Sequence, residues 1–254
     1  MMSKRIYLDI ETLPPTEETK TVILQALRQQ KLTMQETIND DDLAMMADEE
    51  YRNGALHGER GRILTIGLLI EENGAILQQG CLGRDRETRQ YHLDEARTLR
   101  SFWKLVADFK PSHDLFIGHN LLDFDLPFIY KRSIIHQIKP TIHLSFRRFQ
   151  SQPIFDTMWE WSCWRHRISL HDLAQALAVP SPKAAGVTGD NVYDLYQQGR
   201  HEEIAQYCMR DVVCVRDVFH RLRYETAPPL LPAGITPLEN SFTQAANAIG
   251  AAIR

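Results

Sequence analysis

The sequence predicts an α/β fold in which a mixed sheet is flanked by helices. Short runs of strand character alternate with longer segments in which apolar residues recur at helical spacing, and the chain after residue 156 is mostly of the helical kind. The Asn73-Gly74 pair is a hairpin turn signal between two of the strands. A sheet that begins with a hairpin and carries helices on its faces accounts for these observations.

The predicted elements follow in chain order. Pro14 and Pro15 end the first strand, because proline supplies no backbone N–H to a sheet. Strands are expected at about residues 5–10, 62–70, 75–82 and 115–118, and residues 140–155 are expected to be irregular or to contain a strand. Helices are expected at about residues 16–34, 94–109, 123–137, 157–164, 169–178, 191–198 and 201–224.

One domain is expected over residues 1–225, with a helical acidic insertion at about 16–58. Within the insertion, residues 36–50 hold seven acids, which is typical of a solvated helical excursion or a flap. Residues 226–254 are expected to form a proline-containing linker and a short C-terminal helix. A protein partner would bind through the insertion or this tail, and no pattern indicates the oligomeric state.

Composition narrows the class of protein. The 254 residues carry a net charge of −4, which argues against a protein that coats nucleic acid without specificity. No apolar run approaches the ~20 residues of a membrane span, so no membrane association is expected, and the chain starts without a signal-peptide pattern. The four cysteines form no C-x-x-C pair. A reducing, cytoplasmic location is therefore the simplest expectation.

Two acids close the first strand. Asp9 and Glu11 are two residues apart, so their side chains should project from the same face, while Leu8 and Ile10 face the opposite way. Adjacent carboxylates repel each other, which raises the pKa of at least one of them. A bound cation would relieve this repulsion, and the pair is therefore a candidate metal site.

Further acids occur in two segments that suit the same site. Asp125 follows a buried strand and opens a helix, where the helix N-terminus favours a carboxylate, although capping by Asp123 or Asp125 is an equally good interpretation. Tyr207 and Asp211 are four residues apart on a helix and so face the same way. Asp211 alone reads as a surface acid, but the three segments in this order indicate one site.

The three segments together resemble the exonuclease motifs of the DEDD (DnaQ-like) 3′–5′ exonuclease superfamily. They read YLDIE at residues 7–11, GHNLLDFDLPFI at 118–129 and YCMRD at 207–211. The tyrosine of the third segment is typical of the tyrosine subclass. The middle segment is most similar to the proofreading domains of family B DNA polymerases and to the stand-alone predicted exonucleases that resemble them. The resemblance covers about residues 4–222 and implies a ribonuclease H-like fold.

The resemblance also implies the roles of the site residues. Asp9, Glu11, Asp125 and Asp211 would be metal ligands, and oxygen ligands of this kind suit two divalent cations, Mg²⁺ or Mn²⁺. One ion would activate water and the other would stabilise the departing 3′-oxygen, with Asp9 bridging them. Tyr207 would orient the attacking water, because a phenol with a pKa near 10 is a poor base at neutral pH.

Substrate contacts are implied at five further positions. Thr12 and Leu13 match residues that grip the terminal nucleotide and wedge against its base, and Asn120 and Phe124 match residues near the sugar or base. Phe124 reads equally well as a core residue. Lys183, in the loop before the third segment, is expected to meet a phosphate.

Aromatic and basic residues are interleaved between the second and third segments. Arg147 and Arg148 form one cluster, and residues 159–167 hold three Trp and two Arg. The favoured interpretation is that these Trp side chains pack their helix and the Arg side chains are solvated. A groove for single-stranded nucleic acid is the alternative. Asp156 is expected to support the strand end and not to bind metal.

The function implied is a stand-alone 3′–5′ exonuclease that releases nucleoside 5′-monophosphates from the 3′ end of single-stranded nucleic acid, with DNA favoured over RNA. Fewer than fifty residues follow the third segment, so no polymerase domain is expected. An RNA-trimming exoribonuclease is one alternative, because nothing in the sequence reads a 2′-hydroxyl. A non-catalytic nucleic-acid-binding scaffold with the same fold is the other, and the presence of all five site residues counts against it.

Overall fold

The computed structural model describes residues 3–35, 39–85, 87–181 and 189–230. Five strands within these residues form one sheet in the order β3-β2-β1-β4-β5. The strands are β1 (Lys4–Leu13), β2 (Arg62–Glu72), β3 (Ala75–Leu82), β4 (Leu115–Gly118) and β5 (Ile154–Asp156). The sheet is mixed, because β1 is antiparallel to β2 and parallel to β4.

Helices flank this sheet, which confirms the predicted α/β fold class. They are α1 (Glu17–Thr33), α2 (Asp40–Asn53), α3 (Glu95–Leu105), α4 (Asp125–Ile135), α5 (Thr157–Ser162), α6 (Leu170–Ala176), α7 (Val192–Gln197) and α8 (His201–Leu222). None of the helices in the described part of the chain combines the length and apolarity that crossing a membrane requires.

Helix α3 ends before its predicted end near residue 109. The chain turns after Leu105, yet Val106 and Phe109 remain buried in the same core cluster as Phe102. The helical spacing of apolar residues extends beyond the end of the helix because the turn that follows packs against the same core. Pro111, two residues further on, prevents the helix from resuming.

Strand β1 separates the two faces of the core through the alternation of its side chains. Ile6, Leu8 and Ile10 are buried in the cluster that also contains α3 and α4 residues. Tyr7 instead packs in the cluster formed with α8. Asp9 and Glu11 follow Tyr7 onto the α8 face, as their two-residue spacing predicted.

The predicted helical insertion after β1 consists of α1, α2 and a short 3-10 turn (Gly54–Leu56). Helix α2 buries Leu43, Ala47 and Tyr51, which are spaced by four residues, and the Tyr51 hydroxyl donates a hydrogen bond to Pro15 O at 3.0 Å. Helix α1 buries none of its residues. The insertion is thus anchored through α2. The short helix predicted in the C-terminal tail would lie mainly in residues 231–254, outside the described residues.

Helix α8 crosses β2 at Gly67, where the missing side chain allows a close approach. A Cβ atom at this position would lie 2.5 Å from Cys208 Sγ and 3.1 Å from Val212 Cγ2. Gly67 is also the β2 partner of Asp9 in the antiparallel register. The glycine therefore sets how closely α8, with Tyr207 and Asp211, approaches the acids of β1.

We expect Gly67→Ala to lower the free energy of unfolding by ~1–3 kcal/mol, because an added methyl group overpacks the helix–sheet contact. Denaturant unfolding measures this change. The Gly67→Ala/Cys208→Ala double variant should recover part of the loss, since it removes the nearest atom. Gly189→Ala is the control, because among the described residues no atom beyond its chain neighbours lies within 4 Å of its Cβ position. Equal losses in the two single glycine variants would contradict the close approach.

Candidate active site

A cavity of about 890 Å³ opens beside the end of β1 and the N-terminal half of α8. Asp9 and Glu11 line it from β1, and Tyr207 and Asp211 line it from α8. The insertion contributes nine further lining residues: Lys20, Ala44, Met45, Asp48, Glu49, Arg52, Asn53, Ala55 and Leu56. The fold therefore brings together acids about two hundred positions apart in the sequence and encloses them with the insertion.

Asp125 is held against β1 by a backbone hydrogen bond. The parallel pairing of β1 with β4 ends at Tyr7 and Ile117, so Ile10 N–H lies beyond the ladder. Asp125 Oδ1 accepts this N–H at 3.0 Å, and the residue is only 3% exposed. The Asp125 carboxylate, in the first turn of α4, thus accepts the N–H that a neighbouring strand would otherwise accept. This hydrogen bond holds Asp125 at the site.

Asp156, at the end of β5, supports the loop that carries the second motif. Its carboxylate accepts hydrogen bonds from the backbone N–H groups of Asn120 and Leu122, each at 3.0 Å, and from Met158 at 3.1 Å. Burial raises the pKa of Asp156 to about 6, and these N–H donors oppose the rise. The arrangement agrees with the expected role of a supporting acid.

Burial and mutual repulsion raise the pKa values of the clustered acids. The pKa of Asp9 is raised first by burial and then by the charges of Asp211, Glu11 and Asp125. The pKa of Glu11 is raised by burial and by the charges of Asp211 and Asp125. Burial raises the pKa of Asp125 to about 8, although the Ile10 N–H opposes it. The four carboxylates therefore interact electrostatically as one group.

Tyr207 and Asp211 form the α8 side of this group. Burial raises the pKa of Asp211 to about 6, while hydrogen bonding from Tyr207 and the charge of Arg210 lower it. Burial and the charges of Asp211, Glu11 and Asp9 raise the pKa of Tyr207 above its ordinary value. The phenol therefore keeps its proton at neutral pH, and it can orient a group by hydrogen bonding but cannot act as a base.

The expected substrate contacts divide into cavity and core residues. Thr12 and Phe124 line the cavity. Leu13 is 1% exposed and packs with Val192 of α7, so its side chain offers no surface to a base in this structure. The register between β1 and β2 shifts just before it, between Glu11 and Thr12. The wedge predicted for Leu13 is therefore not supported by its position.

Asn120 lies in the turn between β4 and α4, in a left-handed conformation with φ of 64°. It is not among the cavity-lining residues, and its Oδ1 is buried without a hydrogen-bond partner in the described part of the chain. A sugar or base contact at Asn120 stays a prediction. Lys183, the expected phosphate contact, lies outside the described residues.

Two features near the acids had no clear signal in the sequence. The first is the pair Cys81 and Cys208, whose thiols donate hydrogen bonds to Ala205 O and Asp9 O and lie close enough to shift each other's pKa. Cys208 Sγ lies 3.8 Å from Asp9 O. The second is the insertion wall, which depends on contacts such as that of Tyr51 with Pro15. Both depend on contacts between residues that are far apart in the sequence, and the spacing of neighbouring residues does not predict such contacts.

The carboxylates fit hard divalent cations. One oxygen of Asp211 is buried without a hydrogen-bond partner among the described residues. Ligand atoms of Asp9, Glu11 and Cys208 lie within 4.8 Å of one another. Hydrogen bonding to Cys81 and burial raise the pKa of the Cys208 thiol, so it keeps its proton and is a poor ligand for a hard ion. The oxygen donors that remain are those that Mg²⁺ and Mn²⁺ prefer.

The aromatic residues between the second and third motifs are partly packed and partly exposed. Trp159 is buried and stacks on Trp164, with ring centroids 5.8 Å apart and planes 2° apart. Trp161 is 39% exposed and Phe149 is 74% exposed. The expectation that the Trp side chains pack their helix therefore holds for Trp159 and does not hold for Trp161.

The comparison with known proteins agrees with this geometry. A family model described as "Predicted 3'-5' exonuclease related to the exonuclease domain of PolB" matches residues 56–228, about two thirds of the chain. The matched range contains Asp125, Tyr207 and Asp211, whereas β1, with Asp9 and Glu11, and most of the insertion precede it.

No curated protein shows significant sequence similarity to the chain. The mixed five-stranded sheet of the described residues, with its flanking helices, is consistent with a ribonuclease H-like exonuclease fold. The family model covers more than half of the sequence. The chain therefore belongs to the family of predicted 3′–5′ exonucleases related to the exonuclease domain of PolB.

Proposed function

We propose that the chain is a metal-dependent 3′–5′ exonuclease of the tyrosine subclass of the DEDD superfamily. It removes nucleoside 5′-monophosphates one at a time from single-stranded nucleic acid, with DNA the favoured substrate. The observation that carries the proposal is the convergence of Asp9, Glu11, Tyr207 and Asp211 on one cavity, with Asp125 bound to the backbone of the same strand. Membership of the exonuclease family supports it.

Asp9, Glu11, Asp125 and Asp211 would hold two divalent cations, Mg²⁺ or Mn²⁺. When bound, the cations would supply Lewis-acid chemistry that makes water a better nucleophile and neutralises charge on the phosphate and the leaving oxygen. The protein contributes a rigid frame that holds mutually repelling carboxylates together before the ions arrive. Burial makes each carboxylate unfavourable when charged and alone, so cation binding has a large electrostatic driving force.

Tyr207 and the cavity wall would position the substrate and water. The Tyr207 hydroxyl, which keeps its proton and donates it to Asp211, would orient the attacking water by accepting a hydrogen bond from it. Phe124 lines the cavity and packs against Phe128, with ring centroids 5.6 Å apart, so it would offer a fixed aromatic face to the terminal base. The cavity volume of about 890 Å³ is within the usual range for a small-ligand site and suits a nucleotide.

Purified protein with Mn²⁺ or Mg²⁺ should shorten a 5′-labelled single-stranded DNA from its 3′ end, in single-nucleotide steps, and release 5′-monophosphates. EDTA should stop the reaction. A matched RNA strand run in parallel tests the preference, and faster RNA digestion would favour the exoribonuclease alternative. Strands that stay intact yet are retarded on a native gel would instead support a non-catalytic scaffold.

Asp211→Asn should lower the rate by more than the ~10–100-fold typical of losing a group that only supports a metal ligand. Tyr207→Phe should lower kcat by ~10–100-fold with little change in KM, since it removes the hydrogen bond and keeps the ring. Single-turnover digestion measures both effects. Tyr224→Phe is the matched control, because Tyr224 is 98% exposed. An unchanged rate in Asp211→Asn would point to a contaminating nuclease.

The metal-free protein should become less stable as pH rises. Acids with raised pKa values bind more protons in the folded state than in the unfolded state, so the free energy of unfolding falls from about pH 4 to about pH 8. In EDTA, Tm should therefore be lower at about pH 8 than at about pH 5, and Mn²⁺ should raise Tm more at the higher pH. Thermal unfolding measures this difference. An equal or absent Mn²⁺ effect at both pH values would contradict metal binding by these acids.

A further inference from the structure

We propose that an exposed surface beside the cavity binds the single strand upstream of its 3′ end. This surface, called the Arg–aromatic surface, consists of Arg147, Arg148, Phe149, Trp164, Arg165 and Arg167. The inference rests on the proposed function, since it assigns the rest of the substrate to a place on the protein. It also makes the length of the strand a determinant of its affinity.

The Arg–aromatic surface is joined to the active site through Asp123. The Asp123 carboxylate accepts hydrogen bonds from Arg148 at 2.6 Å and from Arg167 at 3.3 Å. The next residue, Phe124, lines the cavity, and Asp125 belongs to the acid cluster. The contacts of Asp123 therefore place Arg148 and Arg167 next to the chain segment that lines the cavity, on the side where a strand would leave past Phe124.

Of the two aromatic rings of the surface, that of Phe149 is open to solvent and that of Trp164 is half-buried against the core. Phe149 is 74% exposed, and its ring centroid lies 5.0 Å from that of Trp164. Trp164 stacks in turn on the buried Trp159, which fixes its position. Exposed large apolar rings are unfavourable unless something covers them, and a nucleobase is a flat group that stacks on such rings whatever its sequence.

The backbone of the surface adopts conformations that bulky residues rarely take. The φ angles of Phe149, Cys163 and Trp164 are 62°, 50° and 61°, all in the left-handed region. Left-handed backbone is unusual for large side chains and often accompanies function. Two strained turns thus place Phe149 and Trp164 side by side at the surface. Packing in the core explains Trp159 but not Phe149.

The charge of the surface complements a phosphate backbone. Four arginines lie in it, although the whole chain has a net charge of −4. Asp123 is shared by Arg148 and Arg167. Across the ranges that the structure describes, no carboxylate lies within 4.0 Å of the guanidinium groups of Arg147 and Arg165, and both residues are exposed. Positive charge interleaved with stacking rings is the combination that binds single strands.

The test compares a single-stranded DNA of about 20 nucleotides with a dinucleotide and with the p-nitrophenyl ester of thymidine 5′-monophosphate, which reach the cavity without covering the surface. In Phe149→Ala, KM for the long strand should rise about 5- to 150-fold, which corresponds to the loss of one stacked base. The ratio of kcat/KM for the long strand to that for the dinucleotide should fall by the same factor. Phe149→Tyr should retain the ratio, because it keeps a stacking ring.

Charge is tested separately with the Arg147→Gln/Arg165→Gln variant. The slope of log affinity against log salt for the long strand should become less steep by about 1.4, since each single-strand phosphate contact contributes about 0.7. Fluorescence anisotropy in EDTA measures this binding without digestion. Tyr224→Ala and Arg223→Gln are the matched controls, because these residues are 98% and 57% exposed and should leave both readouts unchanged.

The outcomes separate this inference from the proposed function. In one outcome the protein digests DNA normally, while Phe149→Ala keeps the parental length dependence and the double variant keeps the parental salt slope. This result overturns the inference but not the proposed function, and it would assign the surface to a protein partner. Failure to cleave any substrate, combined with binding that Phe149→Ala weakens, overturns the proposed function and upholds the surface. A parallel RNA strand should show the same losses, because stacking and phosphate contacts do not read the sugar.

Discussion

Repulsion among four carboxylates, of which Glu11, Asp125 and Asp211 are buried and Asp9 is half-buried, is the constraint on which the site depends. Each of Asp9, Glu11, Asp125 and Asp211 has a raised pKa, and in each case burial is the largest cause. A flexible chain would separate these charges or expose them to water. The fold prevents this by placing two of them on the central strand and one on a long helix packed against it, so their positions are set by the core.

The close contact of α8 with the sheet is therefore as important as the acids themselves. Gly67 lets Cys208 and Val212 reach β2, and Ile10 N–H fixes Asp125 where the β4 pairing has ended. In each contact one partner is an uncharged group: the glycine in the first and a backbone N–H in the second. Apolar packing and backbone hydrogen bonding around the site therefore hold the acids together against their mutual repulsion.

The sequence predicted those parts of the site that depend on the spacing of residues within one strand or one helix. The spacing of Asp9 and Glu11 in a strand and of Tyr207 and Asp211 in a helix fixes their directions relative to neighbouring residues. Leu13 shows where this reasoning ends, because its burial depends on Val192 and Ile204, which lie almost two hundred positions away. The insertion wall and the Cys81–Cys208 contact are equally remote in sequence, and for that reason they were visible only in three dimensions.

Helix α1 buries none of its residues, yet Lys20 on this helix lines the cavity. Substitution of Lys20 would therefore leave the packing of the sheet and the acids undisturbed while altering the wall of the cavity. The acids and this part of the wall thus lie on separate stretches of the polypeptide. A change in the wall can therefore alter which molecules enter the cavity without altering the acids.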